Sequence, residues 1–247
     1  MKAIILAAGQ GVRLRPLTNQ LPKCLIQIGG KPILQHQLEA LDSAGIHDCV
    51  IVVGFMERQV KSYFGSKFSN VNIEYVLNEA FKETNNLYSL WLAKKHLRNK
   101  IILIEGDILF DRLLLGDIAG NPHPNIAVVD KFQPYMNGTV VLPKKGFIDS
   151  MVLKLQQPMG FNYQTALKTV NIYVLSRVSL CDFLVPTLDA WVARGSRDQF
   201  YEAAIAQIID EGNLRLATHY TGVREWMEVD TIEDVHRAEA WITARPN

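Results

Sequence analysis

Near the N-terminus, Leu6-Ala7-Ala8-Gly9-Gln10-Gly11-Val12-Arg13-Leu14-Arg15-Pro16-Leu17-Thr18, closed by Pro22-Lys23, combines small residues with fixed positive charge. Small residues let backbone N–H groups approach an anion closely, and arginine and lysine add long-range attraction. The two glycines, two arginines and lysine of this loop therefore make a candidate anion-binding site. No window supplies the Gly-x-x-x-x-Gly-Lys-Ser/Thr of a P-loop, and the third glycine of a dinucleotide fingerprint is Leu14 here. Two carboxylates form a second group. Asp107 follows the apolar run Ile101–Ile104 through Glu105-Gly106, and Asp230 closes Trp226-Met227-Glu228-Val229. Carboxylates from two strand ends far apart in sequence are what one hard divalent cation requires. Each also has a plainer reading, as a turn cap for Asp107 and a helix cap for Asp230. Cys24 adjoins Lys23, but no histidine motif accompanies it, and it reads as a small buried side chain.

These residues need a scaffold that brings strand ends together. Ala3–Leu6, Cys49–Val53 and Ile101–Ile104 are short apolar runs suited to buried parallel strands, and Val71–Val76 alternates. Between them, Pro32–Ala44 carries an apolar stripe at Ile33, Leu34, Leu38 and Leu41, with proline at the first turn and Gly45 at the end. Glu57–Phe64 and Asn86–Leu97 are further helices, the latter capped by Thr84 or Asn85. Strand and helix alternate with short connections, which predicts an α/β, Rossmann-like, doubly wound and mostly parallel sheet. In such sheets ligands bind beyond the carboxyl ends of the strands, where the opening loop and Asp107 fall. After residue 130 the pattern changes. Gly138–Leu142 and Met151–Leu155 read as antiparallel strands around a turn at Pro143–Gly146, and Thr169–Leu175 as another. Helices follow at about 180–193 and 201–211, strands at 214–219 and 226–230, and a final helix opens at Thr231 with a capping-box pattern to Asp234. The expectation is one domain over 1–247, with a nucleotide-binding half to about 130 and a β-rich, acceptor-binding and sheet-completing half beyond.

A chain of 247 residues can bury a sizeable core, and a formal charge of +1 gives no reason to expect a nucleic-acid surface. Three cysteines are too few and too dispersed for a disulfide framework or zinc cluster. No apolar run is long enough for a membrane span or a signal peptide. The expected location is the cytoplasm.

The opening loop with Pro22-Lys23 resembles the signature of nucleotidyltransferases that make nucleotide-activated sugars and alcohols. Thr84-Asn85-Asn86-Leu87-Tyr88-Ser89-Leu90, Glu105-Gly106-Asp107-Ile108, Lys168–Tyr173 and Trp226–Thr231 follow in the same order. Together they look like the cytidylyltransferases that activate small phosphono- and phospho-compounds. The Lys168–Tyr173 and Tyr201-Glu202 segments look closer to the 2-aminoethylphosphonate branch than to the phosphocholine branch. The resemblance implies a nucleotide-diphospho-sugar transferase type of fold and transfer of CMP from CTP to an acceptor with Mg²⁺. Arg13, Lys23 and Asp107 would be catalytic, with Arg13 and Lys23 on the triphosphate. Ala7, Ala8 and Gly9 would contact the nucleotide through backbone, Asn85, Asn86 and Ser89 would lie near cytosine and ribose, and Leu6, Gly11, Glu105 and Gly106 would complete that site. Asp107 and Asp230 would hold Mg²⁺, and Lys168 would meet the acceptor's phosphonate or phosphate. For the acceptor's other end, Tyr135 and Trp226, with Phe132 and Tyr173, are candidate aromatic walls, and Asp130, Glu202 and Glu228 candidate counter-charges. Asn85 also reads as a helix cap and Lys168 as an exposed lysine. Other readings are a sugar-1-phosphate nucleotidyltransferase and a non-catalytic nucleotide-binding module. The partners expected are CTP and a small acceptor, with no nucleic acid and no membrane.

Overall fold

A computed structural model describes residues 1–244. The strands are β1 (Lys2–Ala7), β2 (Gln27–Ile28), β3 (Lys31–Pro32), β4 (Asp48–Val53), β5 (Lys67–Phe68), β6 (Val71–Leu77) and β7 (Ile101–Glu105). They continue with β8 (Ile108–Phe110), β9 (Ile126–Lys131), β10 (Val140–Lys144), β11 (Phe147–Val152), β12 (Leu167–Leu175), β13 (Ala217–Tyr220) and β14 (Trp226–Glu228). The α-helices are α1 (Ile33–Ser43), α2 (Glu57–Phe64), α3 (Asn86–Leu92), α4 (Leu114–Ala119), α5 (Val185–Ala193), α6 (Tyr201–Asp210) and α7 (Ile232–Thr243). The described residues form two compact units interleaved in sequence. The first takes Met1–Lys82, Ile104–Asn121 and the segment from Val223; the second takes Glu83–Leu103 and Pro122–Gly222.

In the first unit β1 runs parallel to β4, pairing Ala3 with Cys49 through Ala7 with Val53, and β4 runs parallel to β6. The runs Ala3–Ile5 and Val50–Val53 are wholly buried, as strands covered on both faces must be. Antiparallel β5 closes the edge on β6, and β8 pairs antiparallel with β14. Helix α1 buries Ile33, Leu34, Leu38 and Leu41 as its stripe predicts, and Gln37 with them. Pro32 sits one residue earlier than expected, as the N-cap rather than in the first turn.

The second unit is rich in antiparallel pairs, β12 with β9 and β10 and β10 with β11, while β13 runs parallel to β9. The hairpin lies differently from the expected strands. Its arms are 140–144 and 147–152, and the register shifts between Leu142 and Pro143, where a proline without an N–H is tolerated. Leu155 is fully out in solvent instead of on a strand. The expected helix over 180–193 divides into a π-helical segment, Ser179–Leu184, and α5, whose first turn holds Pro186. Proline there cannot donate the amide bond a continuous α-helix would need. Among the described residues no helix is long and apolar enough to cross a membrane.

Candidate active site

The opening loop leaves β1 at Ala7 and turns through Gly11, whose φ of 62° only glycine adopts cheaply. A Cβ at Gly11 would also lie 3.0 Å from the Cβ of Lys23, so the residue lets the two ends of the loop close on each other. The Gly11 carbonyl accepts from the Thr18 hydroxyl at 2.7 Å and from the Leu14 amide at 2.9 Å. The loop returns through Pro22 into a single 3-10 turn, Lys23–Leu25, that buries Cys24 and Leu25 and projects Lys23. Burial pushes the Cys24 thiol up to about 12, which agrees with a packing role.

Asp107 sits in the tight turn between β7 and β8. Gly106 donates its N–H to the Leu6 carbonyl at 2.9 Å, and a Cβ there would come 2.9 Å from that same oxygen, so the backbones meet closely only because the residue is glycine. The Asp107 carbonyl accepts from the Val229 amide at 3.0 Å, which draws the end of β14 alongside. Asp230 follows. It is not the helix cap: Thr231 caps α7, in a box with Asp234. Asp234 Oδ2 accepts from the Asp230 amide (3.0 Å), the Thr231 amide (2.8 Å) and the Thr231 hydroxyl (3.0 Å), and its other oxygen pairs with Arg237. Burial alone would raise the Asp234 pKa, but Arg237 and these donors outweigh it and hold the carboxyl below its ordinary value.

These segments converge on one cation. Lys23 Nζ lies 2.6 Å from Asp107 Oδ2 and 2.6 Å from Asp230 Oδ1, and Arg13 approaches Asp230 Oδ1 at 2.8 Å. Burial would lower the Lys23 pKa, yet the two carboxylates prevail and hold it above the usual lysine value. The two aspartate oxygens share one cation's coordination sphere, and Asp107 Oδ1, buried, has no hydrogen-bond partner among the described residues. Two hard oxygens facing a single cation position, with the second Asp107 oxygen buried beside them and unsatisfied among the described residues, fit a divalent ion that takes its remaining ligands from phosphate and water.

Leu6, Ala7 and Ala8 are buried at the end of β1, Gly9 is exposed, and Glu105 ends β7, so the first unit unites the opening loop, Arg13, Lys23, Glu105, Gly106, Asp107 and Asp230. Trp226 and Glu228 also belong to it, on β14 opposite Phe110 and Ile108, both half-buried. Asn85, Asn86, Ser89, Asp130, Tyr135, Lys168 and Glu202 belong to the second unit. There Asn85 does cap α3, accepting from the Asn86 amide, and Asn86 Oδ1 accepts from the Tyr201 amide at 2.9 Å. Ser89 is buried. Lys168 is not the exposed lysine of the plainer reading: it is 0% exposed and donates to the Thr169 carbonyl at 2.8 Å. Glu202, 4% exposed, accepts from the Thr139 hydroxyl, and the Thr139 carbonyl accepts from Thr169. Asp130 faces Lys168 in the β9–β12 register and accepts from the Lys131 amide; Tyr135 is exposed. Tyr173 is core, edge-on to Tyr201, whereas Phe132 stacks on Tyr163.

Two contributors escaped the sequence reading. Gln37 stands in the apolar stripe of α1, four residues from both Ile33 and Leu41, and a lone polar side chain at that spacing was the available signal. Asp234 was visible as half of a capping box, but its bond to the Asp230 amide was not.

The chain belongs to the family described as Nucleotidyl transferase, whose pattern it matches over residues 2–244. It is 30% identical over 240 residues to the CMP-5'-(3-aminopropyl)phosphonate synthase of Streptomyces rubellomurinus, covering 97% of this chain and 38% of that one. It is 40% identical over 118 residues to the choline-phosphate cytidylyltransferase of Streptococcus pneumoniae, covering 48% of this chain and 50% of that one. The chain thus matches half or less of the length of these two relatives. Among solved structures it resembles the CTP:phosphocholine cytidylyltransferase of Streptococcus pneumoniae, at 25% identity and a TM-score of 0.77 over 98% of each chain.

Proposed function

We propose that this protein is a cytidylyltransferase that transfers CMP from CTP to a small phosphonate or phosphate acceptor and releases pyrophosphate. 2-Aminoethylphosphonate is the favoured acceptor and phosphocholine the next. The observation that carries the reading is the bridging of Asp107 and Asp230 by Lys23, with Arg13 beside them. Membership of the family and the likeness to two relatives named for cytidylyl chemistry support it.

Asp107 and Asp230 would hold Mg²⁺, which when bound supplies a Lewis acid that neutralises charge on the α-phosphate. The small residues from Ala7 to Gly11 present backbone to the nucleotide. Lys23 and Arg13 exchange carboxylate partners for triphosphate oxygens and stabilise the charge that develops as pyrophosphate leaves. An acceptor oxygen attacks the α-phosphorus in line. No general base is required, because a phosphate with a second pKa near ~6 is already largely dianionic at neutral pH. Lys168 and Glu202 are proposed to recognise the acceptor.

The test is pyrophosphate release with Mg²⁺ across CTP, UTP, dTTP, ATP and GTP, each with 2-aminoethylphosphonate, phosphocholine, phosphoethanolamine and glucose-1-phosphate. Release confined to CTP with an amino-alkyl phosphonate or phosphate supports the reading. Preference for glucose-1-phosphate with UTP or dTTP replaces it with sugar activation, and silence throughout leaves a nucleotide-binding module.

A further inference from the structure

The turn carrying Asp107 is held by a side chain from another element. Gln37, fully buried on α1, lies with Nε2 2.8 Å from the Glu105 carbonyl and 2.8 Å from the Ile108 carbonyl. These carbonyls bracket Gly106-Asp107, so the two N–H donors of one amide clamp both ends of the turn. Its Oε1 is buried without a hydrogen-bond partner among the described residues. A buried amide with an unsatisfied oxygen costs stability that a leucine in the same stripe would not. All of its hydrogen bonding is directed at the one turn that presents a carboxylate to the Lys23 cluster.

We infer that Gln37 is a positioning residue: by fixing the Glu105–Ile108 turn it sets the orientation of Asp107 and hence the affinity of the aspartate pair for a divalent cation. Backbone bonds also restrain this turn, from Gly106 N–H to Leu6 and from Val229 N–H to the Asp107 carbonyl, and Lys23 pairs with the Asp107 carboxylate. The backbone bonds hold the Glu105–Gly106 and Asp107–Ile108 peptide planes but do not act on the Gly106–Asp107 peptide between them. Without Gln37 the Glu105 and Ile108 carbonyls each lose this donor, and the turn relaxes about the Gly106–Asp107 peptide between them. Loss of a partner that orients a metal ligand costs about 10–100-fold in metal affinity, whereas loss of core packing alone lowers stability and leaves affinity untouched.

This rests on the proposed cation site, so the experiment separates the two. Mn²⁺ is titrated into wild type, Asp107→Asn and Gln37→Leu by electron paramagnetic resonance, with thermal melts alongside and pyrophosphate release followed against Mg²⁺ concentration. The expected result is Mn²⁺ binding to wild type, its loss in Asp107→Asn, and binding weakened at least ~10-fold in folded Gln37→Leu. The half-activating Mg²⁺ concentration rises in parallel, and the rate recovers toward wild type at high Mg²⁺, which no excess of metal achieves in Asp107→Asn. Gln37→Met serves if the leucine variant does not fold. Wild-type Mn²⁺ affinity in a folded Gln37 variant overturns the inference while leaving the cation site standing. Equal Mn²⁺ binding in wild type and Asp107→Asn overturns the site itself, and the role of Gln37 with it.

Discussion

Each unit carries a polar cluster, and the two are built on opposite plans. In the first unit the charges sit on turns, the two aspartates just after strand ends, and stay partly wet: the side chains of Lys23, Asp107 and Asp230 are 14%, 24% and 23% exposed. In the second, Lys168 and Glu202 sit on a strand and a helix, almost wholly buried, and are linked through Thr139 and Thr169. Partly solvated ions can trade one partner for another at small desolvation cost, which a site that must take up a polyanion and a cation requires. A buried network is expensive to leave half made and so specifies one arrangement. The first cluster is therefore suited to exchange and the second to shape.

Substitutions sharpen that contrast. The largest effect is expected in the first cluster, where Lys23→Ala and Asp107→Ala each lower kcat/KM by at least ~10²-fold, the scale lost with one transition-state donor. Steady-state kinetics with CTP reads this directly, and near-normal rates in Asp107→Ala would remove the metal assignment. Arg13, on a more exposed side chain, contributes one charge-assisted contact, and Arg13→Ala should cost about 10-fold. In the second cluster the cost falls on stability. Thr139→Val keeps the side chain's shape but deprives buried Glu202 of a donor, and urea unfolding should register a loss of about 1–3 kcal/mol. A loss well below that range would mean the network is not the frame described here. The smallest effect belongs to Asp234→Asn, at about 1 kcal/mol for a weakened cap.

That last difference depends on pH. The folded-state pKa of Asp234 is depressed, so its contribution is present above the unfolded value near ~3.9 and disappears as pH falls through the folded one. The wild-type and Asp234→Asn melting curves should thus converge in acid. Lys23 has the opposite sign. Its folded pKa is raised, so its contribution is complete below the ordinary lysine value of ~10.4 and fades only above it.

Much of the scaffold was legible because apolar runs and short connections carry topology: Ala3–Leu6, Cys49–Val53 and Ile101–Ile104 are strands as read. The pair Ile108–Phe110 and Ile126–Lys131 was not foreseen. The first is three residues long and takes its definition from β14, more than a hundred positions away, and the second falls where a change of pattern looked like a boundary. Within the candidate site, Asp107 and Asp230 were legible as carboxylates at strand ends, and Lys23 through the Pro22-Lys23 close of the opening loop. Gln37 was not, since its role comes from two carbonyls on another element, and carbonyls leave no mark in a sequence. Lys168 also admitted the reading of a solvated lysine, because nothing local distinguishes a lysine that tertiary packing will bury.

The most direct test is a single comparison: pyrophosphate release from CTP and 2-aminoethylphosphonate by wild type and Asp107→Ala, with Mg²⁺ and with chelator in its place. Release by wild type with Mg²⁺ alone, abolished by chelator and by the substitution, is the predicted result. Release that persists in chelator or in Asp107→Ala would contradict a cation held by the aspartate pair.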